Sequence, residues 1–192
     1  MKRRELEMAL QSLSPFTSPR PELEQYSTPA VIAADLLFDA LAKGDLEGRK
    51  VLDLGCGTGP LGIGAALLGA DQVIGFDKDP SALEQASANA SKAGVEVEFR
   101  QAEIVDVEEK GDTVVMNPPF GAQRGSGGDR AFLRKATEIG EVIYSIHNAG
   151  SEGFIRRFVE PCKIEEVQRI AFPLKRSFKF HSKDVEIIEV EL

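Results

Sequence analysis

The sequence predicts an α/β fold: a doubly wound, mostly parallel seven-stranded sheet with an antiparallel C-terminal hairpin. Three observations carry that expectation. Between residues 30 and 161, short apolar strands alternate with helices, and such alternation demands right-handed crossovers and a parallel sheet covered on both faces. The first strand runs straight into alternate glycines, Gly55, Gly57 and Gly59, as strands do where a ligand sits at their carboxyl ends. The last two apolar segments are joined by the nine residues KRSFKFHSK (175–183). That is too few for a helical crossover, so the two strands run antiparallel.

The elements follow in order. SPFTSPRPELEQYSTP (14–29) contains four prolines and cannot be regular helix, so residues 1–29 are expected as an extended arm and 30–192 as one domain. AVIAADLLFDAL (30–41) has helical apolar spacing after Ser27-Thr28-Pro29, a cap followed by a proline. KVLDL (50–54) is a buried strand and LGIGAALLGA (61–70) an apolar helix. QVIGFD (72–77) is a strand, DPSALEQASANASKAG (79–94) a helix with a glycine stop, and VEVEFRQAEI (95–104) alternates as a strand. DTVVMN (112–117) is buried strand, and GAQRGSGGDR (121–130), with four glycines, reads as a mobile loop. AFLRKATEIG (131–140) is helix, EVIYSIH (141–147) strand, SEGFIRRFVEP (151–161) helix, and KIEEVQRIAFPL (163–174) and DVEIIEVEL (184–192) the hairpin strands.

Composition narrows the class. The chain has 192 residues, 42% hydrophobic and 28% charged, ordinary for a single globular domain. No apolar run approaches the roughly 18 residues of a membrane-spanning helix. The start, MKRRELEMALQSL, lacks the apolar stretch of a secretory signal. Cys56 and Cys162 form no C-x-x-C pair. We therefore expect a cytoplasmic protein with reduced thiols, no disulfide scaffold and no metal site. The net charge of −8 is unevenly spread: residues 1–120 hold 11 Lys/Arg against 20 Asp/Glu, whereas 121–183 hold 12 against 7. That basic stretch permits a polyanion partner if its cations gather on one face.

Two motifs carry chemistry. The first is Asp53-Leu54-Gly55-Cys56-Gly57-Thr58-Gly59, whose glycines let the backbone turn tightly and approach a ligand. Gly57 to Gly62 also fits G-x-G-x-x-G, with Asp77 twenty residues after Gly57, so a nicotinamide-dependent oxidoreductase is one alternative. Asp53 argues against it, because a carboxylate before the glycines repels pyrophosphate, and Pro60 removes a cradle N–H. A cationic, phosphate-free nucleoside fits better, and S-adenosylmethionine is such a molecule. Asp53 then faces its amino group and Asp77 its ribose hydroxyls. Glu103, with Ile104 beside it, meets the adenine. Gln25, Tyr26 and Thr28 of the arm, folded over the cofactor, supply contacts at its methionine end.

The second motif, Asn117-Pro118-Pro119-Phe120, ends the fourth strand in a turn made rigid by two fixed φ angles. The Asn117 side-chain carbonyl and the Pro118 backbone carbonyl offer two acceptors to one –NH2 group, and Phe120 can stack on its ring. An exocyclic amine is a poor nucleophile because its lone pair is delocalised. Two acceptors on its hydrogens favour a pyramidal nitrogen and free that lone pair, and positioning of this kind contributes up to roughly 7–11 kcal/mol.

These motifs, with Gly75-Phe76-Asp77, resemble the class I S-adenosylmethionine-dependent amino-methyltransferases. Leu23-Glu24-Gln25-Tyr26, Ala131-Phe132-Leu133, Tyr144-Ser145-Ile146-His147, Lys179-Phe180-His181 and Asp184-Val185-Glu186 narrow the resemblance to the methyltransferase-like protein 5 family, over about residues 22–190. It implies a Rossmann-like methyltransferase that modifies adenine N6 in small-subunit ribosomal RNA, with a small zinc-binding activator subunit serving the eukaryotic members. Glu103 departs from the aspartate of the family pattern, and the loop from Ala122 to Asp129 has its own sequence. Arg124, Arg130, Arg134, Lys175, Arg176 and Lys179 are expected to hold RNA phosphates. Phe178, Phe180 and His181 interleave with the last of these as in single-strand binders. A protein glutamine side chain and DNA adenine remain alternative acceptors, and a non-catalytic cofactor-binding scaffold a further alternative.

Overall fold

The computed structural model describes residues 1–20, 23–119, 129–175 and 185–191, the segments 171–175 and 185–191 by their backbone alone. In chain order the elements are α1 (Arg3–Gln11), α2 (Ala30–Ala42), β1 (Lys50–Leu54), α3 (Pro60–Leu67), β2 (Gln72–Asp77), α4 (Pro80–Ala93) and β3 (Glu98–Gln101). There follow a 3-10 turn (Ile104–Asp106), β4 (Gly111–Met116), α5 (Arg130–Ile139), β5 (Gly140–Ser145), β6 (His147–Asn148), α6 (Glu152–Phe158), β7 (Arg169–Lys175) and β8 (Val185–Glu191).

The first five strands form a parallel sheet in the order β3-β2-β1-β4-β5. Side chains alternate across it. Val51, Val73 and Val115 face α2 and α3 through Ile32, Leu36, Leu37, Leu61 and Ala65. Leu52, Leu54, Ile74, Phe76, Val114 and Met116 face the other layer, with Leu133, Ala136 and Ile139 of α5. Both faces are covered, which is why the strands read as near-continuous apolar runs.

The expected seven strands of one sheet are instead divided between two sheets, with eight strands among the described residues. The single strand expected at 141–147 is split. The Ile146 N–H still pairs with the Met116 carbonyl of β4 at 3.2 Å, while His147 and Asn148 turn to pair antiparallel with β8. The segment 140–148 therefore serves both sheets, and β6-β8-β7 form a three-stranded antiparallel sheet. The C-terminal hairpin itself is as expected, pairing Arg169 with Glu191 through Lys175 with Val185. Two strands are shorter than expected. β3 pairs only along Ile74–Asp77 of β2, and β7 is limited by its seven-residue partner.

Residues 1–29 also depart from a wholly extended arm. Arg3–Gln11 form a helix because Leu6 and Leu10, one turn apart, bury against α2 and α3. α6 ends at Phe158, and Pro161 just beyond bars its continuation.

Candidate active site

Strand register gathers the site. Leu54 of β1 lies opposite Phe76 of β2 on one side and Met116 of β4 on the other. The residues that follow, Gly55, Asp77 and Asn117, therefore emerge side by side at the carboxyl edge. The β1–β4 pairing is the point where strand order reverses, the place an open α/β sheet binds ligands. A cleft opens there, lined by Asp53, Gly55, Gly57, Asp77, Glu103 and Ile104, by Asn117 and Pro119, and by Gln25, Tyr26 and Thr28 of the arm. Gly59 stands at the start of α3, and Pro118 is buried behind the edge. Phe120 lies outside the described residues, as do Arg124 and Arg176 to Lys183.

The glycine loop owes its shape to backbone angles that side chains rarely adopt. Gly55 and Gly57 have φ of 70° and 54°. A Cβ on Gly55 would meet the Phe132 ring at 2.9 Å, and one on Gly57 the Phe16 ring at 2.9 Å. Phe16 and Phe132 also line the cleft, and the sequence singles out neither as a site residue. Phe16 lies in a proline-rich stretch without periodicity, so no signal marks it.

Two carboxylates organise the loop. Asp53 is buried and accepts the Gly62 N–H at 2.8 Å; burial pushes its pKa up to about 7. Asp77 accepts the Gly57 N–H at 2.8 Å and the Asp79 N–H at 2.9 Å, and burial raises its pKa as well. Two amides that a pyrophosphate would need are thus already engaged by carboxylates. The donor set fits a cationic, phosphate-free nucleoside and disfavours a dinucleotide. Glu103 is exposed, lies two residues beyond β3 rather than at its end, and stands 4.0 Å from the Lys78 ammonium.

The arm is fastened at three places. The Asn89 amide of α4 accepts the Ser14 N–H at 2.9 Å and donates to the Ser14 and Thr58 carbonyls at 3.0 and 2.9 Å. Gln25 borders the cleft, but its carboxamide binds inside the protein: Nε2 donates to Asp79 at 2.7 Å and Oε1 accepts the Arg20 N–H at 2.8 Å. Asp79 in turn caps α4 through the Ser81 N–H. Gln25 is therefore placed as an anchor of the arm. Thr28 Oγ1 accepts from Asn117 Nδ2 at 3.0 Å. The other end of that carboxamide, Asn117 Oδ1, is buried with no hydrogen-bond partner among the described residues, which is costly unless a ligand donates to it.

His147 is a structural histidine. It is buried, 2.6 Å from Ser145 Oγ through Nε2 and 3.1 Å from Asp129 through Nδ1, and so ties the start of α5 to the β5–β6 strand.

Known proteins resemble this chain over its whole length. The chain is 34% identical to the zebrafish (Danio rerio) rRNA N(6)-adenosine-methyltransferase METTL5, over all of this chain and 97% of that one. It is 41% identical to an uncharacterised protein of Methanocaldococcus jannaschii, over 99% of this chain and 92% of the relative. The crystal structure of PH1948 from Pyrococcus horikoshii, described as a candidate RNA methyltransferase, superposes with a TM-score of 0.89 at 38% identity, covering 100% and 95% of the two chains. Residues 27–139, which span the arm's end, the glycine loop and Asn117, match the Methyltransferase small domain. The chain belongs to that family, and its methyl donor is S-adenosylmethionine.

Proposed function

We propose that this chain transfers a methyl group from S-adenosylmethionine to the N6 amine of adenosine in structured ribosomal RNA, in the cytoplasm. The observation that carries the proposal is the unpartnered, buried Asn117 Oδ1 beside the cleft. A lone acceptor at a strand end is what an incoming –NH2 group requires. That the zebrafish relative is named for rRNA adenosine N6 supports the choice of acceptor.

When bound, S-adenosylmethionine supplies an electrophilic methyl on its sulfonium. In this reading Asp53 draws the amino group of the cofactor, Asp77 accepts from the ribose hydroxyls, and Glu103 and Ile104 flank the adenine. Gly55, Gly57 and Gly59 let the backbone approach. The arm folds over the cofactor, with Tyr26 at its methionine end and Gln25 holding the arm in place. Asn117 Oδ1 and the Pro118 carbonyl each accept a hydrogen from the target amine, and Phe120 stacks on the base, which must first leave its own stack. No strong base is needed, because the nitrogen gives up its proton only once methylated.

Arginines of α5, the helix that lends Ala131 and Phe132 to the cleft, suit an RNA backbone. Arg130 and Arg134 of α5 lie 5.1 and 6.0 Å from the ring centroids of Phe154 and Phe158 on α6. The two rings are 5.4 Å apart. The resulting ladder of cations over aromatics joins α6 to α5, the helix that also carries Ala131 and Phe132 into the cleft. No helix among the described residues is long and apolar enough to cross a membrane. A small zinc-binding activator subunit is the partner we would add to any inactive preparation.

Asn117→Ala tests the reading. The variant should bind S-adenosylmethionine within about threefold of wild type by calorimetry and lose about 10²–10³-fold in kcat, the usual cost of one preorganised polar group at a reacting atom. Turnover near the wild-type value would refute the two-acceptor mechanism.

A further inference from the structure

A carboxamide has two ends of opposite chemistry. Turned by 180°, Asn117 would point N–H donors at the target amine, and donor would meet donor. Little in the residue itself prevents that turn. Pro118 and Pro119 fix the backbone that follows, but the terminal torsion of an asparagine is soft and roughly two-fold. A neighbour must supply the hold on the side chain.

Thr28 supplies it. Its Oγ1 accepts from Asn117 Nδ2 at 3.0 Å, across 89 residues of sequence, and the opposite end of the amide is the buried, unpartnered Oδ1. Thr28 is itself well held. Pro29, the next residue, is the N-cap of α2, and its carbonyl accepts the Ile32 and Ala33 N–H groups at 3.0 Å each. Ala33, Leu36 and Leu37 of α2 are buried in the core. A β-branched side chain adds stiffness at χ1. The hydroxyl is therefore a fixed point anchored to the buried α2 layer.

We propose that Thr28 is a positioning residue for the transfer step: its hydroxyl oxygen accepts from the amide nitrogen of Asn117 and so holds the carboxamide in place, its other end toward the target amine. The inference rests on the N-methylation reading above and gives Thr28 a task distinct from contact with the methionine end of the cofactor. A pure cofactor contact would raise the dissociation constant and leave kcat at saturation unchanged. An orienting contact lowers kcat and leaves binding alone.

The test compares wild type, Thr28→Val and Thr28→Ser. In ¹⁵N-labelled protein without cofactor, the side-chain amide signals of Asn117, assigned by their loss in Asn117→Asp, report the hydrogen bond directly. Their exchange with solvent should quicken about tenfold in the valine variant and return to the wild-type rate in the serine variant. With saturating S-adenosylmethionine, the valine variant should lose about tenfold or more in kcat on RNA, with cofactor affinity within about threefold, and the serine variant should recover. Unchanged amide exchange, or a weaker affinity with kcat retained, would overturn the proposal. A wild type inactive on RNA even with an activator subunit would overturn the N-methylation reading instead. The exchange result would still decide whether Thr28 holds the amide.

Discussion

At the scale of single residues, Asp53 makes the sharpest prediction. Burial raises its pKa from 3.8 to about 7, so the folded protein binds this proton more tightly than the unfolded chain does. Without ligand, the group costs stability progressively as pH rises from about 4 to about 7. A cationic amino group bound opposite favours the carboxylate and expels the proton. Affinity for S-adenosylmethionine should therefore increase, up to about tenfold per pH unit between pH 5 and 7, and level off above. Calorimetry across that range checks it, and Asp53→Asn should flatten the slope. A wild-type dissociation constant that does not change with pH would mean that Asp53 serves only to accept the Gly62 N–H.

The acidic and glycine residues of the site are legible in the sequence because each is forced by chemistry at a strand end: Asp53, Asp77 and Asn117 each follow an apolar run. Their partners are not. Nothing in the order of residues says that Thr28 meets Asn117 or that Asn89 meets Ser14, since these contacts depend on how the arm crosses the domain.

The arm is the element on which the site depends. Ser14 is held by Asn89, Arg20 by Gln25, Gln25 by Asp79, and Thr28 by Asn117. Asn89 is buried and joins the arm to the glycine loop through Thr58. Asn89→Ala would leave the Ser14 N–H and the Ser14 and Thr58 carbonyls without these partners, at about 1–3 kcal/mol for each group that water cannot reach. We expect S-adenosylmethionine to bind about tenfold more weakly, with the thermal transition lowered. Unchanged affinity would show that the arm does not close over the cofactor. The four prolines of 14–29 exclude regular helix from that stretch alone. Residues 1–13 contain none, and there Leu6, Leu10 and Leu13 repeat at helical spacing and α1 forms. The strand at 141–147 differs from expectation for another reason. A local pattern of apolar residues cannot reveal that one segment pairs with two sheets in succession.

At the scale of the whole molecule, topology does the gathering. Order β3-β2-β1-β4-β5 brings Asp53 and Asp77, which lie 64 and 40 residues before Asn117 in sequence, to one edge with the Asn117 turn. Alternation of strands and helices makes the parallel sheet readable in advance, because right-handed crossovers leave few other arrangements, whereas the strand order is set by pairings distant in sequence. The excess of negative charge does not decide the partner, since residues 121–183 hold 12 Lys/Arg against 7 Asp/Glu, and α5 carries Arg130 and Arg134 over the α6 rings. The identity of the acceptor is therefore the central claim. The most direct measurement incubates the protein with labelled S-adenosylmethionine and separate RNA, DNA and protein fractions from cells lacking its gene, then digests whichever fraction is labelled. The account predicts label as N6-methyladenosine in ribosomal RNA. Label on a glutamine side chain or in DNA, with RNA unlabelled, would contradict it.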